Sequence, residues 1–186
     1  MKKIFLFAAG LFSVATFAQE NTETKSSGLQ SIWEINTNLS GLGVSYEHVL
    51  NDHFTLKGEL SYETYYNVSQ ENNKLILAPS LNAEGRYYYN LEKRAAKGLN
   101  MKNNSGNFVS LKAQYYGNFA TITSVEKSLI RNQFTIAPMW NFSRNFGKSN
   151  FGFEWGIGAG YSVSFQKDYS NSKFFIPLDF TFSYKL

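Results

Sequence analysis

The chain has 186 residues, 17% of them aromatic, a formal net charge of +4 and no cysteine. The missing cysteine excludes disulfide staples, thiolate metal sites and a lipid anchor on a mature N-terminal cysteine. A cleavable leader would remove Lys2 and Lys3 and no acid, lowering the charge from +4 to +2, so basicity gives no argument for a nucleic-acid partner.

Lys2 and Lys3 precede an apolar run from Ile4 to Phe12, and small residues lead to Thr16-Phe17-Ala18. This pattern predicts a secretory signal peptide over residues 1–18, cut after Ala18; a spanning helix would need about 20 apolar residues. Residues 19–27 read as a polar periplasmic lead-in and 28–186 as one barrel domain, with no linker or internal repeat dividing it. From there apolar residues recur at every second position, the period of a strand.

Strand one is expected over about Leu29 to Leu39, with Leu29, Trp33, Ile35 and Leu39 on one face and Gln30, Glu34, Asn36 and Asn38 on the other; Ser40 and Gly41 turn it. Strand two sets Leu42, Val44 and Tyr46 against Gly43, Ser45 and Glu47, and Asn51-Asp52 makes the next turn. Strand three sets Phe54, Leu56, Leu60 and Tyr62 against Lys57, Glu59, Ser61 and Glu63, and Asn67 to Asn73 reads as a polar loop. Strand four sets Leu75, Leu77, Leu81, Tyr87 and Tyr89 against Ser80, Asn82, Glu84 and Arg86. A long connector follows, Asn90 to Gly106, with a helical turn or two over Glu92 to Lys97, Asn90 as N-cap and Gly98 as stop.

Strand five sets Val109, Leu111, Ala113 and Tyr115 against Ser110, Lys112 and Gln114, and a loop runs from Gly117 to Leu129. Strand six carries Phe134, Ile136, Trp140 and Phe142, and strand seven Phe151, Phe153, Trp155, Ile157 and Tyr161. A loop from Gln166 to Ser172 leads to the last strand, where Phe174, Ile176, Leu178, Phe180, Phe182, Tyr184 and Leu186 hold period 2 to the terminus. Soluble chains seldom end on such a stripe, because termini fray into water, whereas a strand closing a membrane barrel keeps its outer face in lipid.

Alternation alone does not say which face looks inward. The polar face of strand seven decides it, because it carries Gly152, Gly156, Gly158 and Gly160, a choice suited to strands crowding a narrow axis. The fold class expected is therefore all-β, a transmembrane antiparallel up-and-down barrel, most simply of eight strands. The inward set then holds Glu34, Glu47, Glu59, Glu63, Glu84, Glu154 and Asp179 against Lys57, Arg86, Lys112 and Lys185. A third hairpin turning near Gln70 predicts a polar ladder of Lys57, Glu84 and Lys112, with Glu59, Arg86 and Glu154 nearby. Rings divide between two rims: Tyr62, Tyr66 and Tyr115 at the outer one, Tyr87, Tyr89, Trp140 and Tyr184 at the inner one.

The pattern resembles the small OmpA/OmpX-type eight-stranded outer-membrane barrels. The leader ending Ala18-Gln19, with Val44-Ser-Tyr-Glu-His48 and Glu84-Gly-Arg-Tyr-Tyr-Tyr-Asn90, is similar more specifically to uncharacterised barrel proteins of Bacteroidota. Two departures stand out: the chain ends on Leu186 where many such barrels end on Phe, and the connector after strand four is long where periplasmic turns are usually short. The second leaves eight or ten strands open.

An eight-stranded lumen is filled by side chains, so the leading expectation is a non-enzymatic integral outer-membrane barrel contributing to envelope structure or surface adhesion. The alternative is an accessory barrel subunit docked within a larger outer-membrane complex through its lipid-facing wall or its basic connector, Lys93, Arg94, Lys97 and Lys102. A third reading, a lipid-modifying membrane enzyme, would need His with Ser or Asp near the outer rim, yet His48 and His53 both flank the turn after strand two, at the other end. The glycines of Gly152 to Gly160 lie in a strand with no helix after them, unlike a phosphate loop. Expected partners are outer-membrane lipid, the barrel-assembly machinery during insertion and, for the alternative, a membrane-protein complex; no cofactor, metal or nucleic acid is expected. Protein purified from the cell envelope is predicted to begin at Gln19, which its intact mass checks directly.

Overall fold

A computed structural model describes residues 28–69, 72–122, 131–166 and 169–186; the expected leader and lead-in lie outside the described residues. Ten strand segments follow in chain order: β1 (Ile32–Asn38), β2 (Gly41–Val49), β3 (Phe54–Ser69), β4 (Asn72–Tyr88), β5 (Asn107–Tyr116), β6 (Asn132–Asn145), β7 (Phe151–Gly158), β8 (Gly160–Gln166), β9 (Tyr169–Phe175) and β10 (Leu178–Lys185). A short helix, α1 (Leu91–Ala96), and a 3-10 turn (Lys102–Asn104) occupy the connector between β4 and β5.

The ten segments make eight barrel strands. β7 and β8 both pair with β6 and keep one register, Met139 opposite Gly158 and Ile136 opposite Tyr161. The register of β7 with β10 likewise continues into β8 with β9, from Leu178 opposite Ile157 to Gly160 opposite Phe175. The ladder is interrupted beside Ala159 because its neighbours on the flanking strands include Pro138 and Pro177, which have no N–H to give. Gly158 and Ala159 still donate, to Pro177 O at 3.2 Å and Pro138 O at 3.1 Å. Successive strands are antiparallel neighbours, and β10 closes the ring on β1 from Glu34 opposite Lys185 to Asn38 opposite Thr181. The chain is thus a closed antiparallel barrel of eight strands, which settles the strand count.

Two expected loops are shorter than the sequence suggests. Asn67 and Asn73 lie within β3 and β4, whose pairing runs out to Ser69 opposite Asn72, and the stretch 166–172 is hairpin up to Gln166 opposite Tyr169. Main-chain ladders need no apolar side chain, so polar residues continue them where hairpins project from the wall. Of the expected loop Gly117 to Leu129, the described part returns to β4, with Leu77 and Ile122 exchanging hydrogen bonds of 3.0 and 2.9 Å. One end of the barrel therefore carries these hairpin tips and the short turn between β1 and β2, and the other carries the connector, the turns after β2 and β6 and both described termini.

The faces divide by polarity. Glu34, Glu47, Arg86 and Lys185 are no more than 4% exposed inside, while Trp33, Leu42, Phe151 and Ile176 stand outside at 54% to 72%. Tyr62 and Tyr115 lie toward the hairpin end, and Tyr87, Tyr89, Trp140 and Tyr184 toward the connector end; the side chain of Tyr66 lies outside the described residues.

The inward glycines are there because the strands leave no room. A Cβ at Gly156 would sit 1.9 Å from Asn141 Oδ1, and one at Gly158 would sit 2.2 Å from the backbone oxygen of Pro138. Gly85 faces out, and a Cβ there meets nothing within 4 Å. Gly158→Ala is therefore expected to destabilise the barrel by about 1–3 kcal/mol, and Gly85→Ala to be neutral or to stabilise it by up to about 1 kcal/mol. Urea midpoints of the two variants, measured side by side in detergent, check the contrast.

Candidate functional site

The bore is organised around Arg86 on β4. Its Nη2 and Nε donate to Glu84 Oε2 at 2.6 and 2.9 Å, its Nη1 and Nη2 bridge both oxygens of Glu154 at 3.1 and 2.9 Å, and Nη1 reaches Glu47 Oε2 at 3.4 Å. A planar fork of five N–H groups makes five hydrogen bonds to three carboxylates at once, more than an ammonium with three donors can. On its far side the guanidinium stands 4.5 Å from the Phe108 ring centroid, an orientation the ring's negative face favours. Glu47 is satisfied further by the hydroxyls of Tyr88 and Thr55, which donate at 2.9 and 2.6 Å.

Three more ion pairs complete the set among the described residues. Lys57 Nζ lies 2.6 Å from Glu34 Oε2, with Lys185 Nζ 3.4 Å from the other oxygen of the same carboxylate. Lys112 Nζ lies 2.6 Å from Asp179 Oδ2, in a more open position.

The register places Lys57 opposite Glu84 and Glu84 opposite Lys112, the ladder positions read from the sequence. The ion pairs run elsewhere. Arg86 takes Glu84 with two hydrogen bonds, a stronger hold than an ammonium point charge offers, and the two lysines turn to Glu34 and Asp179. Glu59 accepts from Asn36 Nδ2 at 3.2 Å and Asn82 Nδ2 at 3.1 Å, and Glu63 accepts from Ser61, Gln114 and Tyr116. Tyr88 and Phe108 escaped notice in the sequence, although counting by twos from Arg86 puts Tyr88 inside.

Tyr88 and Phe108 also begin a stopper. Both are fully buried and pack with Leu91 of α1, with Leu29 and Met101 against them. Asn104 holds the N-terminal segment in place, accepting from Gln30 N at 2.8 Å and donating to Gln30 O at 2.9 Å, and Lys185 Nζ donates to Asn103 O at 2.6 Å. At the connector end the bore is filled. Above Arg86 a polar well of about 160 Å³ runs to the turn at Leu39 and Ser40, past Glu59, Lys112 and Asp179.

The connector helix forms where the sequence places it, with Gly98 in the left-handed region at φ 62 ending the turn. Asn90 stands at the N-cap position, but its Oδ1 accepts from Asn107 N at 2.8 Å instead of capping the helix. The four basic residues separate: Lys102 Nζ is tied to Lys148 O at 2.8 Å and Asn150 Oδ1 at 2.9 Å, while Lys93, Arg94 and Lys97 line one pocket beside Tyr89. At the same end, Ser31 Oγ lies 3.4 Å from His48 Nδ1 and accepts from Val49 N at 3.1 Å, and the His53 ring lies 6.0 Å from that of Tyr87.

Among the described residues no helix is long and apolar enough to cross a membrane, which says nothing about crossing by strands, and no group of three or more His, Asp or Glu is arranged to hold a metal ion. Arg86→Met strands Glu47, Glu84 and Glu154 and is expected to cost about 3–5 kcal/mol. Lys112→Met, breaking a pair whose side chains are 24% and 36% exposed, is expected to cost less, about 1 kcal/mol. Equilibrium unfolding of the two variants measures both. Compared with known proteins, the chain matches no family model, no curated protein and no solved structure.

Proposed function

We propose that this chain is a non-enzymatic integral outer-membrane barrel, of the OmpA/OmpX-like kind, exported by its leader and serving envelope structure or surface adhesion instead of transport. The observation that carries the reading is the inverted polarity: ions and amides in the bore, and Trp33, Leu42, Leu60, Leu111, Phe151 and Leu178 among the many exposed apolar side chains outside. In water such a wall is costly at about 25 cal/mol per Å², and soluble monomers rarely expose contiguous apolar patches beyond a few hundred Å². In lipid it is the expected surface.

A transport role is disfavoured by the stopper of Tyr88, Phe108 and Leu91. Adhesion is favoured by the hairpin end. There β3–β4 and β8–β9 project past the short turn between β1 and β2, and β9 pairs with β8 along one edge only among the described strands. Unpaired edges of this kind accept an added strand.

The test is membrane partition. The mature chain should require detergent, float with phosphatidylcholine vesicles, resist extraction by alkaline carbonate and migrate differently on a gel before and after boiling. A compact monomer in plain buffer would overturn the reading, and a stoichiometric protein partner retained in mild detergent would replace it with an accessory-subunit role.

A further inference from the structure

The pocket between α1 and the barrel wall holds cations without a counter-ion among the described residues. It has a volume of about 370 Å³ and is lined by Lys93, Arg94, Lys97, Tyr89, Leu99 and Asn107, with Asn90 at its edge. Among the described residues no carboxylate lines it, and Glu92 is the one acid in the connector 90–106.

Arg94 is the informative group. Its residue is 8% exposed, its Nη2 donates to Asn100 O, and its Nε is buried without a hydrogen-bond partner. A guanidinium in that position has lost part of its water and gained no anion among the described residues, an arrangement that is costly unless an acceptor completes it. Burial alone pushes its pKa below the usual arginine value. The Arg144 guanidinium adds to the positive field, and its own donors are engaged by Gly106 O at 2.9 Å and Asn107 Oδ1 at 2.6 Å.

The rim of the pocket is apolar and faces outward. Leu99 is 47% exposed and Tyr89 45%, and the Tyr89 hydroxyl accepts from Trp140 Nε1 at 2.7 Å, leaving its own proton to give. A Tyr–Trp pair on the outer wall is the side-chain type that collects at a membrane interface. Cations below and an apolar rim beside them match an amphiphile: a phosphodiester against Arg94, Lys93 and Lys97, and acyl chains along Leu99, Tyr89 and Trp140.

We infer that this pocket is a binding site for the headgroup of an anionic phospholipid, at the connector-end interface of the barrel. The inference rests on the membrane reading above. The lipid phosphate supplies the acceptor that Arg94 Nε lacks, and the two exposed lysines, Lys93 on α1 and Lys97 at its C-cap, close over it. Bound lipid would also hold the connector in place as the stopper of the bore, since Leu91 and Arg94 share the helix.

The experiment is native mass spectrometry of the detergent-solubilised full chain, titrated in parallel with phosphatidylglycerol and phosphatidylcholine. Wild type should retain phosphatidylglycerol about ten-fold better. Lys93→Gln/Lys97→Gln, which alters only exposed side chains, should reduce that preference to about two-fold or less, and Arg94→Gln should abolish it. Equal retention of both lipids, or unchanged preference in the double lysine variant, overturns the proposal. Displacement by inorganic phosphate as effective as by phosphatidylglycerol assigns the site to a soluble anion and overturns the lipid assignment. If Arg94→Gln fails to give the gel shift of a closed barrel, the lysine variant carries the test alone. Failure of the membrane reading would appear separately, as wild type that needs no detergent and does not float with neutral vesicles.

Discussion

A charge taken out of water must be answered by another, and in this barrel one guanidinium answers three. Arg86, Glu47, Glu84 and Glu154 come from β4, β2 and β7, so their pairing ties walls that the main-chain ladder does not join directly. The register follows from this, because a slip of one residue would turn every member of the set outward. The inward glycines follow too, since the space the side chains occupy is taken from the strands facing them. Small inward residues on β7 leave room for Met139 and Asn141 of the neighbouring β6.

The two ends of the barrel do different work. Toward the termini the bore changes from ionic to aromatic, with Tyr88 and Phe108 passing the polar network on to the connector through one hydroxyl and one cation–ring contact. The connector is long because it is a stopper as well as a link: α1 supplies Leu91 beneath the rings, and Asn104 clamps the incoming chain at Gln30. Toward the hairpins the network opens into a well whose carboxylates are met by amides and hydroxyls as much as by cations.

Arg94 departs from the rule that Arg86 obeys. Every cation in the bore reaches a carboxylate of the chain, whereas Arg94, less deeply buried, reaches a backbone carbonyl. The difference lies in position: the bore is surrounded by strands that carry acids, and the connector pocket opens outward beside Tyr89 and Trp140, where an anion must come from elsewhere.

Much of this was legible from residue types alone. Period 2 is a local property of a strand, so the inward charges, the outward rings, the hairpin turn near Gln70 and the helix after Asn90 were all readable without a structure. The glycines of β7 carried even the choice of face, because a crowded axis and a solvated surface call for different residues. Which ion meets which was not legible. Arg86 and Glu154 are 68 residues apart and Lys112 and Asp179 are 67 apart, and their encounter depends on how the closed ring staggers its strands, which no local pattern encodes. The stopper and the lone guanidinium of Arg94 belong to the same class, since both arise only when the connector folds back on the wall. Alternation determined the face of each residue, and closure of the barrel decided its partner.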